Sequence, residues 1–357
     1  MDLKLGEQLR ALPGPILITG HTGFKGTWLT FLLEHLGVPA VGYSLAPERD
    51  SLYDRAKLTD KIPEIYADIR DADTFRKFIA THKPSAIIHM AAQPLVLQSY
   101  KTPRVTFDVN VMGTVNVLDQ VFATDYVQAV VVVTTDKVYR NDNSGKAFVE
   151  SDPLEGKDPY SASKVGAEAV VSAWQQIQKV SGGPKVVSVR AGNVIGGGDW
   201  AENRLIPDLV RGFISGNPIE IRNPNSTRPW QHVLDPLVGY LLTLEYILNG
   251  GDISSINFAP KGASLTVAEV ATIAQECWGE GPRIEFSQAK FSGNYEASSL
   301  ALDASYASRI FKNAAHWSQE KSVEKSVIWW KKLTEKILNP QECVNSDIQE
   351  FLSEIAG

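Results

Sequence analysis

Short apolar runs alternate along the chain with stretches in which apolar residues recur at helical spacing. The runs are expected to be strands, and the β-branched run at 129–135 is typical of a parallel strand that is buried on both faces. Strands separated by helical stretches predict an α/β fold built on a doubly wound parallel sheet. The predicted strands lie at 16–19, 40–45, 86–91, 129–135 and 185–190, and the main predicted helices at 105–122, 161–179, 267–277 and 319–337.

The first strand leads directly into a glycine-rich corner, TGHTGFKGTW at 19–28. Glycines at such a corner let the backbone approach a pyrophosphate, while the N–H groups of the following helix point at it. The spacing is GxxGxxG and not the usual GxGxxG, and a tight turn without a ligand is the alternative. We assign cofactor binding at this corner to Gly20, Thr22, Gly23, Phe24, Lys25 and Gly26.

The acidic residue that usually binds the cofactor ribose is missing from the second strand. That strand ends Tyr43-Ser44-Leu45, with no Asp or Glu. The residue pattern alone therefore does not distinguish NAD from NADP.

Glycine and proline become frequent after Ala191, and this change of texture suggests a second domain. We interpret the first part as a Rossmann-like dinucleotide-binding domain and the rest as a smaller, partly interleaved C-terminal domain that binds the substrate. The predicted boundaries are 1–190, with a returning segment near 232–258, for the first domain, and 191–231 with 259–357 for the second.

Composition and charge narrow the classes of function. A formal net charge of -6 offers no basic surface for nucleic acid. No apolar run approaches the roughly 18 residues of a membrane span, so we expect no membrane partner. Cys277 and Cys343 are far apart, form no metal-binding pattern and fit a reducing compartment. We expect a cytoplasmic protein with no metal site.

A tyrosine and a lysine in YSASK, Tyr160 and Lys164, are spaced to lie on one helix face. A nearby ammonium favours the phenolate, so such a tyrosine is a usable base near neutral pH. Thr135, at the end of a predicted strand, is placed to add a hydroxyl. A second pair at the same spacing, Tyr53 and Lys57, falls in a predicted early loop with no strand before it, and we reject it.

These pieces together resemble the extended short-chain dehydrogenase/reductase family over nearly the whole chain. The motifs stand in order: TGHTGFKG, ADIRD at 67–71, HMAAQ at 89–93, NVMGT from Asn110, TTDK, YSASK and RAGNVIGGGDW. The resemblance implies NAD as cofactor and a homodimer packed through helices around 105–122 and 161–179. It also implies site residues: Thr135, Tyr160 and Lys164 as the catalytic triad, Asp68 and Ile69 at the adenine, and Ala91, Ala92 and Asn110 along the cofactor channel.

The residues after Thr135, Asp136 and Lys137, resemble one branch of that family more closely. Sugar-nucleotide 4,6-dehydratases carry an acid–base pair there, mostly Asp-Glu, and the branch that acts on CDP-glucose carries Asp-Lys. The resemblance implies that Tyr160 deprotonates the 4-hydroxyl of the sugar and that Lys137 removes the proton from carbon 5. Asp136 would then protonate the departing 6-hydroxyl.

Other interpretations of these residues stay open. Asp136 and Lys137 also fit an ion pair at a strand end, and the substrate also fits a different nucleoside diphosphate sugar. A 4-epimerase or 4-reductase would use Tyr160 and Lys164 alone, and a regulatory protein would bind a dinucleotide without catalysis.

Binding of a nucleotide sugar requires donors for its phosphates and contacts to its sugar. Arginine suits a bidentate grip on phosphate, and Arg228 lies in the RPWQHV stretch that resembles the family. The candidate substrate-binding residues are Gln93, Asn193, Arg204, Leu205, Ile206, Arg228 and Glu296.

Overall fold

A seven-stranded sheet with helices packed against it forms the centre of the computed structural model, which describes residues 5–287, 299–312 and 315–356. Its strands are β1 (Ile16–Thr19), β2 (Ala40–Ser44), β3 (Glu64–Tyr66), β4 (Ala86–His89), β5 (Ala129–Val133), β7 (Lys185–Ala191) and β12 (Ser255–Phe258). The strand order is β12-β7-β5-β4-β1-β2-β3, and every pairing from β3 to β7 is parallel. The predicted α/β, Rossmann-like parallel sheet is confirmed.

The strand order reverses between β1 and β4, and this is the point at which doubly wound sheets bind ligands. Leu17, Ile87 and Val130, on three neighbouring strands, are buried in one cluster with Val117 and Val121 of a covering helix. All five residues of β5 are buried, as its β-branched sequence predicts. The sheet therefore presents the carboxyl ends of β1, β4 and β5 at one edge.

Fourteen helices lie within the described residues. They are α1 (Glu7–Arg10), α2 (Phe24–His35), α3 (Leu52–Arg55), α4 (Ala72–His82), α5 (Val96–Lys101), α6 (Pro103–Phe107), α7 (Gly113–Phe122), α8 (Pro159–Ser181), α9 (Leu205–Ser215), α10 (Leu234–Leu248), α11 (Val267–Trp278), α12 (Ser305–Ile310), α13 (Gln319–Thr334) and α14 (Pro340–Ala356).

The structure differs from the predicted elements at several places. The single helix expected at 105–122 is interrupted by a π-helical turn, Asp108–Met112, between α6 and α7. This turn contains Asn110, whose side chain bonds to the backbone of Gln93, so a side-chain contact accompanies the wider turn. Strand β3 was not predicted, because three residues are too few for a periodic signal.

The ends of two predicted strands also differ. Strands β4 and β5 end at His89 and Val133, about two residues before the predicted ends. The N–H groups of Met90 and Ala91 turn instead to Thr19 Oγ1, each at 3.1 Å.

The chain divides into two compact units. The first comprises residues 1–140, 150–190 and 237–257, and it contains the sheet apart from the last residues of β7 and β12. The second comprises 141–149, 191–236 and 258–357. Segment 141–149, which the sequence boundaries assign to the first domain, lies with the second unit.

The second unit is built from helices and four two-stranded ladders. Helix α13 packs against α9, α11 and α14, and its Trp329 lies so close to Gly197 that a Cβ there would meet the indole at 2.0 Å. The ladders pair β6 (Ala147–Phe148) with β15 (Ala301–Leu302), β8 (Val194–Ile195) with β11 (Gln231–His232), β9 (Ile219–Arg222) with β14 (Ile284–Ser287), and β10 (Thr227–Arg228) with β13 (Leu265–Thr266).

Among the described residues, no helix has the length and apolar character of a membrane span.

Candidate active site

The glycine corner between β1 and α2 brings the backbone into close approach at two of its three glycines. Gly20 has φ of 78°, and a Cβ on it would lie 2.8 Å from the backbone N of Ala91. A Cβ on Gly26 would lie 2.2 Å from the backbone O of Gly20. Gly23 is less constrained, since its Cβ would lie 3.3 Å from the same oxygen. Larger side chains at Gly20 or Gly26 would therefore displace the corner.

Helix α2 begins at Phe24, and Gly23 brings no side chain to cap it. The amides of its first turn consequently point out of the helix end without an acceptor inside the helix. Thr22 turns away from this end, because its Oγ1 lies 2.7 Å from Ser44 Oγ and donates to the Leu45 carbonyl at 3.0 Å. Lys25 donates to the Tyr240 hydroxyl at 3.2 Å. The corner thus exposes backbone donors, as a phosphate site requires.

Glu64 of β3 holds the far side of the corner, and no pattern in the sequence indicates it. Its Oε2 accepts from His21 Nε2 at 2.5 Å and from the Tyr53 hydroxyl at 2.6 Å, while Oε1 accepts from Tyr66 at 2.9 Å. Burial lowers the pKa of His21 although Glu64 opposes that change. A strand of three residues hides Glu64 from periodicity analysis.

The residues predicted at the adenine lie just beyond β3. Both carboxylate oxygens of Asp68 accept from Arg70, and this pairing holds the pKa of Asp68 below its ordinary value. Ile69 is buried against Gly113, where a Cβ would meet its Cγ2 at 2.8 Å. Ala91 and Ala92 follow β4 and are half-buried.

Asn110 joins two parts of the site. Its Oδ1 accepts from the Gln93 backbone N at 2.8 Å, and its Nδ2 donates to Ser163 Oγ, also at 2.8 Å. Ser163 Oγ in turn donates to the Tyr160 carbonyl at 2.6 Å. The Gln93 amide itself bonds to Thr106 and Leu95. In this structure the Gln93 side chain is therefore engaged with its own loop and with α6.

A 3₁₀ turn after β5 carries the predicted acid–base pair. Thr135 caps this turn, Asp136–Val138, and accepts from the Lys137 backbone N at 3.3 Å. Thr135 Oγ1 donates to Asp136 Oδ1 at 3.0 Å. Asp136 is buried and Lys137 is half-buried. The turn packs against α8, so the structure brings these three residues to the helix that carries Tyr160 and Lys164.

Helix α8 starts with a complete capping arrangement. Asp158 and Ser161 satisfy each other's backbone N–H groups, and Pro159 occupies the first helical position. The backbone N of Tyr160 donates to Ser99 Oγ at 3.1 Å. Lys164, one turn later, donates from Nζ to the Val133 carbonyl at 3.0 Å. Both Tyr160 and Lys164 are buried.

Burial sets the charge state of two groups in the interior of the first unit. It lowers the pKa of Lys164 to about 8, and the carboxylate of Glu168 opposes the effect. Burial and the nearby Lys164 lower the pKa of His89 to about 3, so this histidine is neutral at physiological pH. His89 bonds to Thr19 and Thr114, which is a structural role.

Sequence reasoning also missed Glu168 of α8 and Arg190 of β7, which form a buried ion pair. Arg190 Nη2 lies 2.8 Å from Glu168 Oε2, and both side chains are 5% exposed. Glu168 follows Lys164 by one helical turn, and that spacing was the available signal.

The predicted phosphate-binding residues lie in the second unit. Arg204 precedes α9 and donates to Asp199 at 2.9 Å, while its side chain remains 38% exposed. Leu205 and Ile206 open this helix, so their N–H groups have no acceptor within it. Arg228, on β10, is buried and donates to the Thr227 carbonyl at 2.7 Å. Asn193 is half-buried, and Glu296 lies outside the described residues.

Comparisons with a protein family and with an individual relative agree. Residues 16–258 match the family described as NAD dependent epimerase/dehydratase. A CDP-glucose 4,6-dehydratase from Salmonella typhimurium is 40% identical over 325 residues, which cover 88% of this chain and 90% of that protein.

Two solved structures share the fold at lower identity. A dTDP-glucose 4,6-dehydratase from Streptomyces venezuelae, crystallised with NAD, has a TM-score of 0.76 and 23% identity, and the match covers 92% of this chain and 99% of that one. A UDP-glucose-4-epimerase from Stenotrophomonas maltophila with bound NAD has a TM-score of 0.78 and 19% identity, covering 91% and 100%.

Proposed function

The chain belongs to the NAD dependent epimerase/dehydratase family, and from that premise we propose that it is a sugar-nucleotide 4,6-dehydratase that converts CDP-glucose to CDP-4-keto-6-deoxyglucose. The enzyme is a hydro-lyase, because water leaves and no net oxidation occurs. The observation that carries the proposal is the Asp136-Lys137 pair, held on a turn directly after Thr135 and packed against the helix of Tyr160. The 40% identity to the Salmonella enzyme supports the choice of CDP-glucose.

The glycine corner supports NAD as the cofactor, because a Cβ at Gly20 or Gly26 would clash with nearby backbone and displace the start of α2, where a pyrophosphate would bind. NAD held there would supply the hydride acceptor for carbon 4 of the sugar and the hydride donor for carbon 6. We assign its pyrophosphate to Gly20, Thr22, Gly23, Phe24, Lys25 and Gly26, its adenine to Asp68 and Ile69, and its channel to Ala91, Ala92 and Asn110. Asn110 acts there by holding the backbone of Gln93.

Tyr160 serves as the base for the 4-hydroxyl of the sugar. The ammonium of Lys164, one turn along α8, favours the phenolate form of that tyrosine. Thr135 contributes a hydroxyl beside the same sugar oxygen. Loss of the hydroxyl proton to Tyr160 and of hydride from carbon 4 gives a ketone at carbon 4, which acidifies the proton on carbon 5.

Asp136 and Lys137 then carry out the elimination of water. Lys137 takes the proton from carbon 5, a step that requires the neutral amine, and Asp136 gives its proton to the hydroxyl that leaves carbon 6. Carbon 5 finally recovers a proton from Lys137 as carbon 6 is reduced, so the product is a 4-keto-6-deoxy sugar. A 4-epimerase or 4-reductase eliminates no water, so Asp136 and Lys137 would have no catalytic role in it.

The second unit is assigned to the nucleotide part of the substrate. The partial exposure of Arg204 and the amides of Leu205 and Ile206 at the start of α9 support a diphosphate contact. Arg228 and Asn193 complete the described part of this assignment, and Glu296, also assigned to the substrate, lies outside the described residues. Gln93 contacts the sugar only after its side-chain hydrogen bonds to Thr106 and Leu95 have broken.

The proposal includes a homodimer and a cytoplasmic location. Apolar side chains of the helices named for the dimer are exposed: Phe107 is 41%, Met112 49% and Val180 86% exposed. Light scattering of the purified protein tests the dimer.

Cys277 and Cys343 are free thiols, which suits a reducing compartment.

The test is incubation of the purified protein with CDP-glucose and NAD, followed by mass analysis and alkaline absorbance of the keto sugar. We expect a product lighter by one water with no net change in the cofactor. A stereoisomer of unchanged mass, or net consumption of a reduced cofactor, would replace the proposal with an epimerase or a reductase. Turnover of dTDP-glucose or UDP-glucose in place of CDP-glucose would change the substrate and keep the chemistry.

Two variants separate the dehydratase from the epimerase. Asp136→Asn and Lys137→Ala should each lower the rate of water loss by about 10²-fold to 10⁴-fold, the contribution of a positioned acid or base. An epimerase would retain its activity in both variants.

A further inference from the structure

The carboxylate of Glu168 is fully occupied by four donors. Oε1 accepts from Thr134 Oγ1 at 2.5 Å and from Arg190 Nε at 2.9 Å. Oε2 accepts from Ser188 Oγ at 2.7 Å and from Arg190 Nη2 at 2.8 Å. A buried ion pair is weak evidence for stability, because desolvation offsets its attraction, so these contacts invite a different explanation.

Arg190 extends the network to the far side of the 3₁₀ turn. Its Nη1 donates to the Tyr139 hydroxyl at 2.7 Å, and its guanidinium lies over the Tyr139 ring, 5.1 Å from the centroid. The Tyr139 hydroxyl donates to Asn257 Oδ1 at 2.7 Å. All three side chains are buried, and Asn257 belongs to β12 of the central sheet.

The two ends of this network bracket the residues assigned to elimination. Thr134 directly precedes Thr135, and Tyr139 directly follows the turn that contains Asp136 and Lys137. One ion pair therefore fixes both ends of segment 135–138. Its acidic member, Glu168, lies on α8 together with Tyr160 and Lys164.

We propose that Glu168 and Arg190 are positioning residues, which set where Asp136 and Lys137 stand relative to Tyr160 and Lys164. This inference rests on the proposed function, since it concerns the step in which water leaves. Oxidation at carbon 4 and elimination across carbons 5 and 6 use different side chains. The network fixes the positions of these two sets of side chains relative to each other. Loosening the turn should slow elimination more than oxidation.

The experiment uses variants that remove one hydroxyl and keep the shape of the side chain. Thr134→Val removes the anchor before the turn, and Tyr139→Phe removes the anchor after it. Ser188→Ala is the matched control, because Ser188 bonds to the same carboxylate from the middle of β7. We expect the first two to lower kcat by about 10-fold to 100-fold, since ~1 Å of misplacement costs about 10²-fold. The control should stay close to wild type.

Isotope effects distinguish positioning from a general loss of folded protein. CDP-glucose with deuterium at carbon 5 reports proton removal by Lys137, and deuterium at carbon 4 reports the oxidation. In Thr134→Val and Tyr139→Phe the effect of carbon-5 deuterium on kcat should grow while the carbon-4 effect shrinks. Partial unfolding lowers the amount of active enzyme and changes neither isotope effect.

The wild-type protein in the same assay keeps the two proposals apart. If Thr134→Val and Tyr139→Phe keep the kcat and the isotope effects of the wild type, the positioning role is wrong. It is also wrong if Ser188→Ala loses as much kcat as these two variants. Either result would leave the proposed function standing. If the wild type releases no water from CDP-glucose, the proposed function fails and the positioning role fails with it.

Discussion

The chain carries two tyrosine–lysine pairs at the same spacing, and their surroundings differ. Tyr53 lies on α3, a helix that ends at Arg55, so Lys57 falls beyond it with φ of 51° and is exposed. The Tyr53 hydroxyl lies 2.6 Å from Glu64, and burial together with this carboxylate raises the pKa of Tyr53. A tyrosine whose proton is held in this way is a poor base.

Tyr160 and Lys164 lie near the start of α8, a helix of 23 residues. Four residues of continuous helix place both side chains on one face, and Lys164 is fixed by its bond to the Val133 carbonyl. A tyrosine and a lysine four residues apart therefore share one face only where the helix between them is unbroken. The sequence-based reason for rejecting Tyr53, an early loop, is wrong, because a helical turn forms there but stops short of Lys57.

The largest difference between the pairs should appear when each hydroxyl is removed. Tyr160→Phe should lower kcat by about 10²-fold to 10⁴-fold, the contribution of a positioned general base. Tyr53→Phe should leave kcat unchanged. Steady-state turnover of both variants at equal folded concentration measures this, and a comparable loss of kcat in Tyr53→Phe would remove the distinction.

Removal of each ammonium is the next test. Lys164→Met should lower kcat by about 10²-fold to 10³-fold, the usual cost of losing one electrostatic contact to a developing anion. Lys57→Met changes an exposed residue and should behave as wild type. Normal turnover by Lys164→Met would show that Tyr160 needs no cation.

The pH profile should carry the signature of Lys164. Burial lowers the pKa of Lys164 to about 8, so the ammonium, and kcat with it, should be lost above that pH. The free energy of unfolding changes with pH in the opposite direction. Between about pH 8 and the ordinary value of 10.5, the unfolded chain binds more protons, so the free energy of unfolding should rise with pH.

Two variants sharpen the pH measurement. Lys57→Met should keep the alkaline loss of kcat, and Lys164→Met should show neither that loss nor the rise in stability. Urea unfolding across the alkaline range measures the second quantity. A wild-type profile that stays flat from pH 8 to the ordinary pKa of 10.5 would contradict a buried, titrating Lys164.

The sheet and helix α8 were predictable because their signals are local. The buried run of β5 and the helical spacing after Pro159 each specify one element, and Gly20 marks the corner between two others. The π-helical turn at Asn110 was not predictable, since it accompanies a contact with Gln93 that is distant in the sequence. The site as a whole stays a prediction, which the variants above test.

Glu64, Glu168 and Arg190 show why part of the site escapes sequence analysis. Each is a charged residue that is buried because partners from other elements satisfy it, and ordinary composition rules place such residues on the surface. The pairing of Glu168 with β7 follows from the strand order of the sheet, which no local pattern specifies.

The smallest expected effect is on the free energy of unfolding, through the hydrogen bond from Tyr53 to the Glu64 carboxylate. Burial alone would raise the pKa of Glu64, but hydrogen bonds from Tyr53 and other donors lower it overall. A carboxylate whose pKa is lower in the folded state stabilises the protein above its unfolded pKa of 4.5, and the stabilisation is lost as pH falls through the folded value. Tyr53→Phe should therefore cost about 1–3 kcal/mol at neutral pH, the usual cost of a buried polar group left without its partner, and less in acid. Urea unfolding at neutral pH and near pH 4 measures both, and an equal loss at the two pH values would mean that Glu64 does not depend on Tyr53.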